Sequence, residues 1–543
     1  MVSRHRHIYA TMVFFILLVC YSYIQPSLNW ATSSRADVVY SLVEQNTFII
    51  DHYEKNTGDK AFFEGHYYTD KSIGPSLIGL PVYMAFRSIA SIPAIRSQLQ
   101  TDTSIPLKDE PIDWPMGLYS RWALTLMTFF ASVLPSAMLG TLVFYFTNRF
   151  TSVPAYAFIL ALAFSLCTIA FTFSWQLFQH QLSSFGLFGG FYFLWTVIYE
   201  KKSVNRLWIV GFLFSLAVIS EYPVALFAGL IFLWALIVMR DRKPLFRVII
   251  GGLPLILINV FYDIATFHSA IPLGYQYSIW GSIVNVQGFM GIGLPSLNVM
   301  GELLFGTFRG LFLISPFLLF AIPGLVMMWR KKPEQASTPN PNPSPVVTGE
   351  GSSTVLSRLF SMERSVAVLI ALVIIGFLGY GSGYIVWWGG YSVGARLLIP
   401  MLPFMVVPII FVLNQWFNRT LGRIIIGLLI VAGLLNTWAQ SITAYGLPPD
   451  APRQLLSAYK NLIEYNKQTI ILVGEGKTVN PLLDFAIPAL QKGAVSYNYG
   501  MAFGLRGLAS FLPLIILVGS ILVVGWYFLN REQRALSIQP SPA

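Results

Sequence analysis

The sequence predicts an all-α polytopic membrane protein of about 12 transmembrane helices, with a large first external loop carrying juxtamembrane helices. Three observations predict it. Of 543 residues, 55% are apolar and only 11% charged, a balance that a soluble domain does not show. Apolar runs that approach the ~20 residues of a bilayer crossing recur from end to end. The basic residues also collect in alternate connections, as the positive-inside rule requires.

In chain order, spans are expected at about 8–24, 120–146, 154–173, 181–199, 205–220, 223–239, 247–266, 309–328, 364–384, 396–415, 421–438 and 510–529, the pair at 205–239 being short. No small-residue cleavage site follows the first span, so it is expected to be retained. Ile73–Ile92 is apolar but broken by Gly74, Pro75, Gly79, Pro81 and Arg87. Charge decides its placement. If it does not cross, the cytoplasmic side holds 19 of the 35 Lys and Arg but only 6 of the 24 Asp and Glu. If it crosses, the basic EKKSVNR and RDRKPLFR loops move outside and the rule fails. It is therefore expected to be re-entrant or surface-lying, with both termini cytoplasmic. The net charge of +11 is explained by this distribution and does not point to nucleic acid.

An N-terminal bundle then occupies 1–332, with the external loop at 25–119. Residues 333–363, rich in Pro, Ser and Thr, are expected to form a disordered cytoplasmic linker. Helices resume over 364–438, an external segment runs over 439–508, and 509–543 hold the last helix and a cytoplasmic tail. The two cysteines, Cys20 and Cys167, both fall inside spans and make no disulfide framework.

The stretch that stands out is Ser33–Pro75. It carries seven carboxylates (Asp37, Glu44, Asp51, Glu54, Asp59, Glu64 and Asp70), interleaved with Arg35, Lys55, Lys60, Lys71, His52 and His66. Val38, Leu42 and Val43 fall at helical spacing, which predicts an amphipathic helix lying along the bilayer surface. Seven carboxylates beside a membrane cavity point to a task beyond solvation. No phosphate-binding Gly loop, HExxH or CxxC pair occurs. The remaining polar candidates sit at the outer ends of spans: His180, Glu221, Asp263, His268, Arg309 and Arg396, the last following WWGGYSVGA. Charges at span ends also serve as plain interfacial anchors, and Trp387 and Trp388 as interfacial aromatics.

The order of these parts resembles the C-type membrane glycosyltransferases (the GT-C superfamily), especially the aminoarabinose-transferase and protein O-mannosyltransferase group. SRADVVYSLVEQNTFI is similar to their loop helix, HYYTDKSIGPSLIGLPVYMAF to their juxtamembrane helix, LAVISEYPVAL to a hairpin that carries Lys in the family, and GARLLIPMLPF to a late Pro-rich segment. The likeness covers most of 1–415. Two departures stand out: Ala31–Ser34 lack the acidic residue that follows the family's first span, and Glu221 replaces the hairpin Lys.

The resemblance implies a multi-pass enzyme of a bacterial plasma membrane that moves a sugar, with inversion, from a polyprenyl-phosphate donor to an external acceptor (a glycan, a lipid or a protein). No cofactor is required, although a divalent cation is compatible. Asp37 would act as base, with Arg396, Lys71 and Arg35 at the donor phosphate. His66, Tyr68, Asp70, His180, Glu221 and Trp388 are candidate contacts to sugar or acceptor. Two other readings stay open: a non-catalytic protein that binds polyprenyl lipid, and a lipid-linked sugar transporter or flippase.

Overall fold

The computed structural model describes residues 2–99, 118–271, 274–280, 288, 290–331, 361–389, 393–443, 473–474, 477–478 and 480–537. The expected linker at 333–363 lies almost wholly outside them, as does much of the expected external segment at 439–508.

Among the described residues the chain is helical apart from two short hairpins. α1 (Val2–Tyr23) is followed by α2 (Trp30–Gln45), the hairpin β1 (Lys60–Phe63) and β2 (His66–Thr69), α3 (Gly74–Ala90) and α4 (Pro93–Leu99). Then come α5 (Leu118–Phe150), α6 (Pro154–Leu166), α7 (Ala170–Ser174), α8 (His180–Tyr199), α9 (Arg206–Ser220), α10 (Val224–Val238) and α11 (Phe246–Phe267). The later helices are α12 (Leu297–Phe305), α13 (Leu311–Ile314), α14 (Ala321–Arg330), α15 (Met362–Gly383), α16 (Arg396–Val406), α17 (Ile409–Trp416), α18 (Thr420–Thr443) and α19 (Leu512–Ser537).

Among the described residues, seven helical stretches are long and apolar enough to cross a membrane: those containing α1, α5, α8, α11, α15, α18 and α19. This fits an all-α membrane protein, and a lipid bilayer is the environment such helices suit. The other five expected spans are helical but short or broken. Residues 154–173 divide into α6 and α7, α9 and α10 have 15 residues each, 309–328 is interrupted near Ser315, and α16 meets α17 at a 47° bend. Pro316 and Pro408 lie at the last two interruptions, where proline withholds an amide and clashes with the preceding turn. Ile73–Ile92 forms α3, which turns through 104° into α4, the shape of a broken span or a re-entrant segment.

Local chemistry accounts for the first loop. Asn29 caps α2 by accepting a hydrogen bond from Thr32 N, and Asn46 ends it in the left-handed region. The β1–β2 turn is Glu64–Gly65, with φ of 49° and 86°. Two successive positive φ values suit the twist of a two-residue hairpin, and Gly65 adopts one without strain. The register pairs Lys60 with Thr69, so Asp59 and Asp70 flank the open end of the hairpin.

One expectation is corrected. α2 does not lie along a surface: every residue from Ala31 to Ser41 is buried, including Arg35 and Asp37. One side packs with α3 and α5 through Val39, Tyr40, Tyr83, Leu124 and Met127. Another meets Ile50, Ile73 and Tyr262 through Val38. Periodicity identified the helix, but its carboxylate at position 37 is enclosed by neighbours that the local pattern does not reveal.

Candidate functional site

The open end of the hairpin begins a charged cluster. Lys71 Nζ lies 3.1 Å from Asp59 Oδ2 and 3.0 Å from Asp70 Oδ1. Ser278 Oγ donates to Asp70 Oδ2 at 2.9 Å, and the Lys71 ammonium faces the Tyr275 ring, 5.6 Å from its centre. The segment that carries these two residues pairs with the β1 edge, Phe62 N donating to Tyr277 O and Ile279 N to Lys60 O.

Arg35 reaches this cluster from α2. It donates to Ala31 O at 2.5 Å and to Gln179 Oε1. Its guanidinium carbon sits 5.5 Å from the centre of the Phe178 ring, and that of Arg396 sits at the same distance from the same ring. One phenyl ring thus has two guanidiniums against it, an arrangement that attraction between cation and ring supports. The Nε atoms of both Arg35 and Arg396 are shielded from water and have no acceptor among the described residues. A β-carbon at Gly389 would come within 2.9 Å of Arg396 Cγ, and Gly389 has a φ of +75°, so glycine answers both demands there.

A second pair lies beside them. His180, at the start of α8 and wholly buried, places Nδ1 3.2 Å from Glu221 Oε2, while its Nε2 has no partner among the described residues. Its ring stacks on Phe178 with 6.1 Å between centroids, within electrostatic reach of Arg396 and Arg35. Tyr275, Tyr380 and Tyr384 complete the surroundings.

The docking is specific. Ser34 and Thr69 hydroxyls meet at 2.7 Å, Ser76 Oγ donates to Arg35 O at 2.9 Å, and Ser72 Oγ donates to Ser220 O. α3 approaches the α9–α10 turn so closely that a β-carbon on Gly74 would fall 2.8 Å from Ser220 Cα. These contacts bring Lys71 to the same end of the bundle as Glu221.

Burial and charge oppose each other here. Burial lowers the Arg35 guanidinium to about 10, still protonated at neutral pH, while Tyr275 and Asp59 oppose the fall. For Lys71, burial disfavours the ammonium, but Asp59 and Asp70 outweigh it and its pKa is raised. Burial pushes the Asp70 carboxyl up against the pull of Lys71. Arg35 and Lys71 therefore stay protonated at neutral pH; Lys71 is engaged by Asp59 and Asp70, so the guanidiniums of Arg35 and Arg396 are the groups of this mixed cluster that suit an anion of phosphate type. Among the described residues no three His, Cys, Asp or Glu side chains gather as a metal site, and the Lys71 ammonium occupies the space between the two carboxylates where a cation would bind.

Of the residues expected from sequence, Arg35, Lys71, Asp70, His180, Glu221 and Arg396 come together. Trp388 is buried next to Gly389, with its ring 6.0 Å from that of Trp387. Three residues stand apart. Asp37 is buried on another side of α2, where it accepts from Asn56 Nδ2 at 3.0 Å and feels Lys60. His66 pairs with Asp51 at 2.7 Å near the hairpin turn, and Tyr68 packs on Phe267. Sequence reasoning held Asp59 only among the loop carboxylates that could replace Asp37 as base, and did not single out Phe178, Gln179, Tyr275, Tyr380 or Tyr384 as site residues. For Asp59 a signal existed, since Glu64–Gly65 between KAFF and HYYT reads as a hairpin turn and sets Asp59 opposite Asp70. The tyrosines have no such local mark.

Comparison with protein-family models gives no match, and comparison with curated proteins gives none.

Proposed function

We propose that the chain is a membrane glycosyltransferase that uses a polyprenyl-phosphate sugar as donor and transfers the sugar to an acceptor hydroxyl at the external face. One observation carries the reading: Arg35, Lys71 and Arg396, from three distant stretches, converge with the Asp59 and Asp70 carboxylates at one end of an apolar helical bundle. A donor with an apolar tail and an anionic head needs both surfaces side by side.

In this mechanism the guanidiniums of Arg35 and Arg396 hold the donor phosphate, which leaves as a stable anion and needs no strong acid. The acceptor oxygen attacks the anomeric carbon, the bond from that carbon to the phosphate oxygen breaks, and its electron pair goes to the phosphate. A carboxylate takes the acceptor proton. One displacement inverts the anomeric centre, by the geometry that also governs inverting glycosidases. Asp37 was the expected base, but its enclosure beside Asn56 favours Asp59, whose side chain is 20% exposed and faces Lys71.

The test is a transfer assay in nanodiscs with a panel of polyprenyl-phosphate pentoses and hexoses. Asp59→Asn should lower turnover by roughly 10²–10⁴, the range for general-base assistance, with donor binding retained. Full turnover in Asp59→Asn and loss in Asp37→Asn would return the role to Asp37. Donor binding without transfer to any acceptor would support the non-catalytic reading.

A further inference from the structure

Next to the charged cluster the same segments build an aromatic shelf that the mechanism above does not use. Trp30 opens α2, and Trp280 lies in the segment that carries Tyr275 and Ser278. Their indoles stack, with 6.0 Å between ring centroids and 26° between planes. Both are held by Gly58. Trp280 Nε1 donates to Gly58 O at 2.8 Å, and a β-carbon on Gly58 would fall 2.8 Å from the Trp30 ring. Even so, 47% of Trp30 and 36% of Trp280 remain exposed.

Hydrogen bonds tie this shelf to the cluster from both tryptophans. Thr57 Oγ1 donates to Trp30 O at 2.8 Å and accepts from Asp59 N at 2.9 Å, so one hydroxyl joins Trp30 to Asp59. Trp280 N donates to Ser278 Oγ at 3.3 Å, and that hydroxyl donates in turn to Asp70 Oδ2. Two exposed indoles thus stand next to the partly exposed Asp59 carboxylate. A tryptophan that only anchors a protein at a membrane interface keeps its indole N–H in the wet layer and needs no stacked partner. Here Trp280 commits its N–H to Gly58 and stacks on Trp30. Indole faces are weakly negative, so with a carboxylate beside them they suit a molecule with weakly positive C–H bonds on a flat face and hydroxyls at its edge. A pyranose ring has both, whereas an acyl chain has only the C–H bonds.

We infer that Trp30 and Trp280 form a stacking platform for a saccharide, and that the acceptor hydroxyl facing Asp59 is therefore one of a glycan; the second half rests on the glycosyltransferase reading. The full chain in nanodiscs is titrated with hexasaccharides of glucose, mannose, galactose and N-acetylglucosamine, and binding is read by saturation-transfer NMR. At least one of them should bind at millimolar concentration or below, with the strongest transfer to ring C–H protons. Trp30→Ala and Trp280→Ala should each weaken that binding at least tenfold with thermal unfolding unchanged. Trp280→Phe, which keeps a ring without the N–H, should recover part of the loss. Gly58→Ala should weaken binding as well, because the added carbon displaces the Trp30 ring while both tryptophans are retained. No binding of any hexasaccharide, or wild-type affinity in both alanine variants, would overturn the proposal. Two further outcomes separate it from the reading it rests on. Saccharide binding through these tryptophans without transfer from any polyprenyl-phosphate sugar would keep the platform and sink the transferase. Transfer to a lipid acceptor at full rate in the double alanine variant would keep the transferase and remove the platform.

Discussion

Arg396 and Asp37 illustrate how differently two charged residues can be placed within one fold. The Arg396 guanidinium lies against Phe178 and Gly389, and its Nε has no acceptor among the described residues. Lys would supply the same charge but not the planar fork that grips a phosphate with two parallel hydrogen bonds. Arg396→Lys should therefore weaken binding of a polyprenyl monophosphate at least tenfold with folding intact, and unchanged binding would reduce Arg396 to an interfacial anchor. Asp37 faces the opposite demand. Burial raises its carboxyl well above the ordinary value, although Asn56 and Lys60 pull it down. The unfolded carboxyl titrates near ~3.9. Between that pH and the raised folded value, the folded state holds a proton that the unfolded state has lost. Stability from this group is thus greatest at low pH and falls as pH rises through the window, by at most about 1.4 kcal/mol per pH unit. Asp37→Asn should flatten that fall and leave stability at pH 7 equal or higher, as read from thermal unfolding at pH 5 and pH 8. A variant less stable at both pH values would mean that the charged carboxylate is needed in place.

Among the elements, α3 decides whether the hairpin is held at the bundle. Gly74 lets the first turn of α3 rest on the backbone of Ser220, with no room for a side chain. Gly74→Val should push the two elements apart and cost about 1–3 kcal/mol, the range for overpacking a close contact. It should also weaken phosphate binding, because Lys71 and Glu221 are brought to one end of the bundle across this contact. Normal stability and normal binding in that variant would show that the contact is dispensable. The elements also show what a linear pattern can and cannot express. Apolar runs located seven helices long enough to span among the described residues and shorter or broken helix at the other five expected spans, because a long run of Leu, Ile, Val and Phe leaves helix as the economical way to satisfy the backbone in lipid. The breaks at Cys167–Ile169 and at Ser315, the latter beside Pro316, are not encoded in hydropathy. α2 was legible as a helix, yet its enclosure depends on α3, α5 and the segment around Ile50 and Ile73. Of the six candidate site residues that converged, His180, Glu221 and Arg396 meet because span ends collect polar side chains at one level, whereas Arg35, Asp70 and Lys71 of the first loop and the tyrosines at 275, 380 and 384 joined them only through the fold.

At the scale of the whole molecule, sidedness is the testable property. If α3 and α4 form a re-entrant pair, Glu54 and Gln98 lie on the same side of the membrane, opposite Lys201. Single cysteines at the first two positions should react with an impermeant reagent added to intact cells, and one at position 201 should react only after permeabilisation. Protection at position 98 with labelling at 54 would make α3 a crossing helix. The lengths of α9 and α10 bear on the depth of the candidate site. Each has 15 residues, about 22 Å of helix, against a hydrocarbon thickness of about 30 Å. Such a pair meets a full-thickness bilayer by drawing the lipid surface inward beside it, as hydrophobic mismatch demands. Glu221, in the turn between them, and Arg396 beside it would then face a dimple in the membrane rather than its flat surface, and a lipid headgroup would reach the guanidinium by sinking with its own leaflet, its tail never leaving the hydrocarbon.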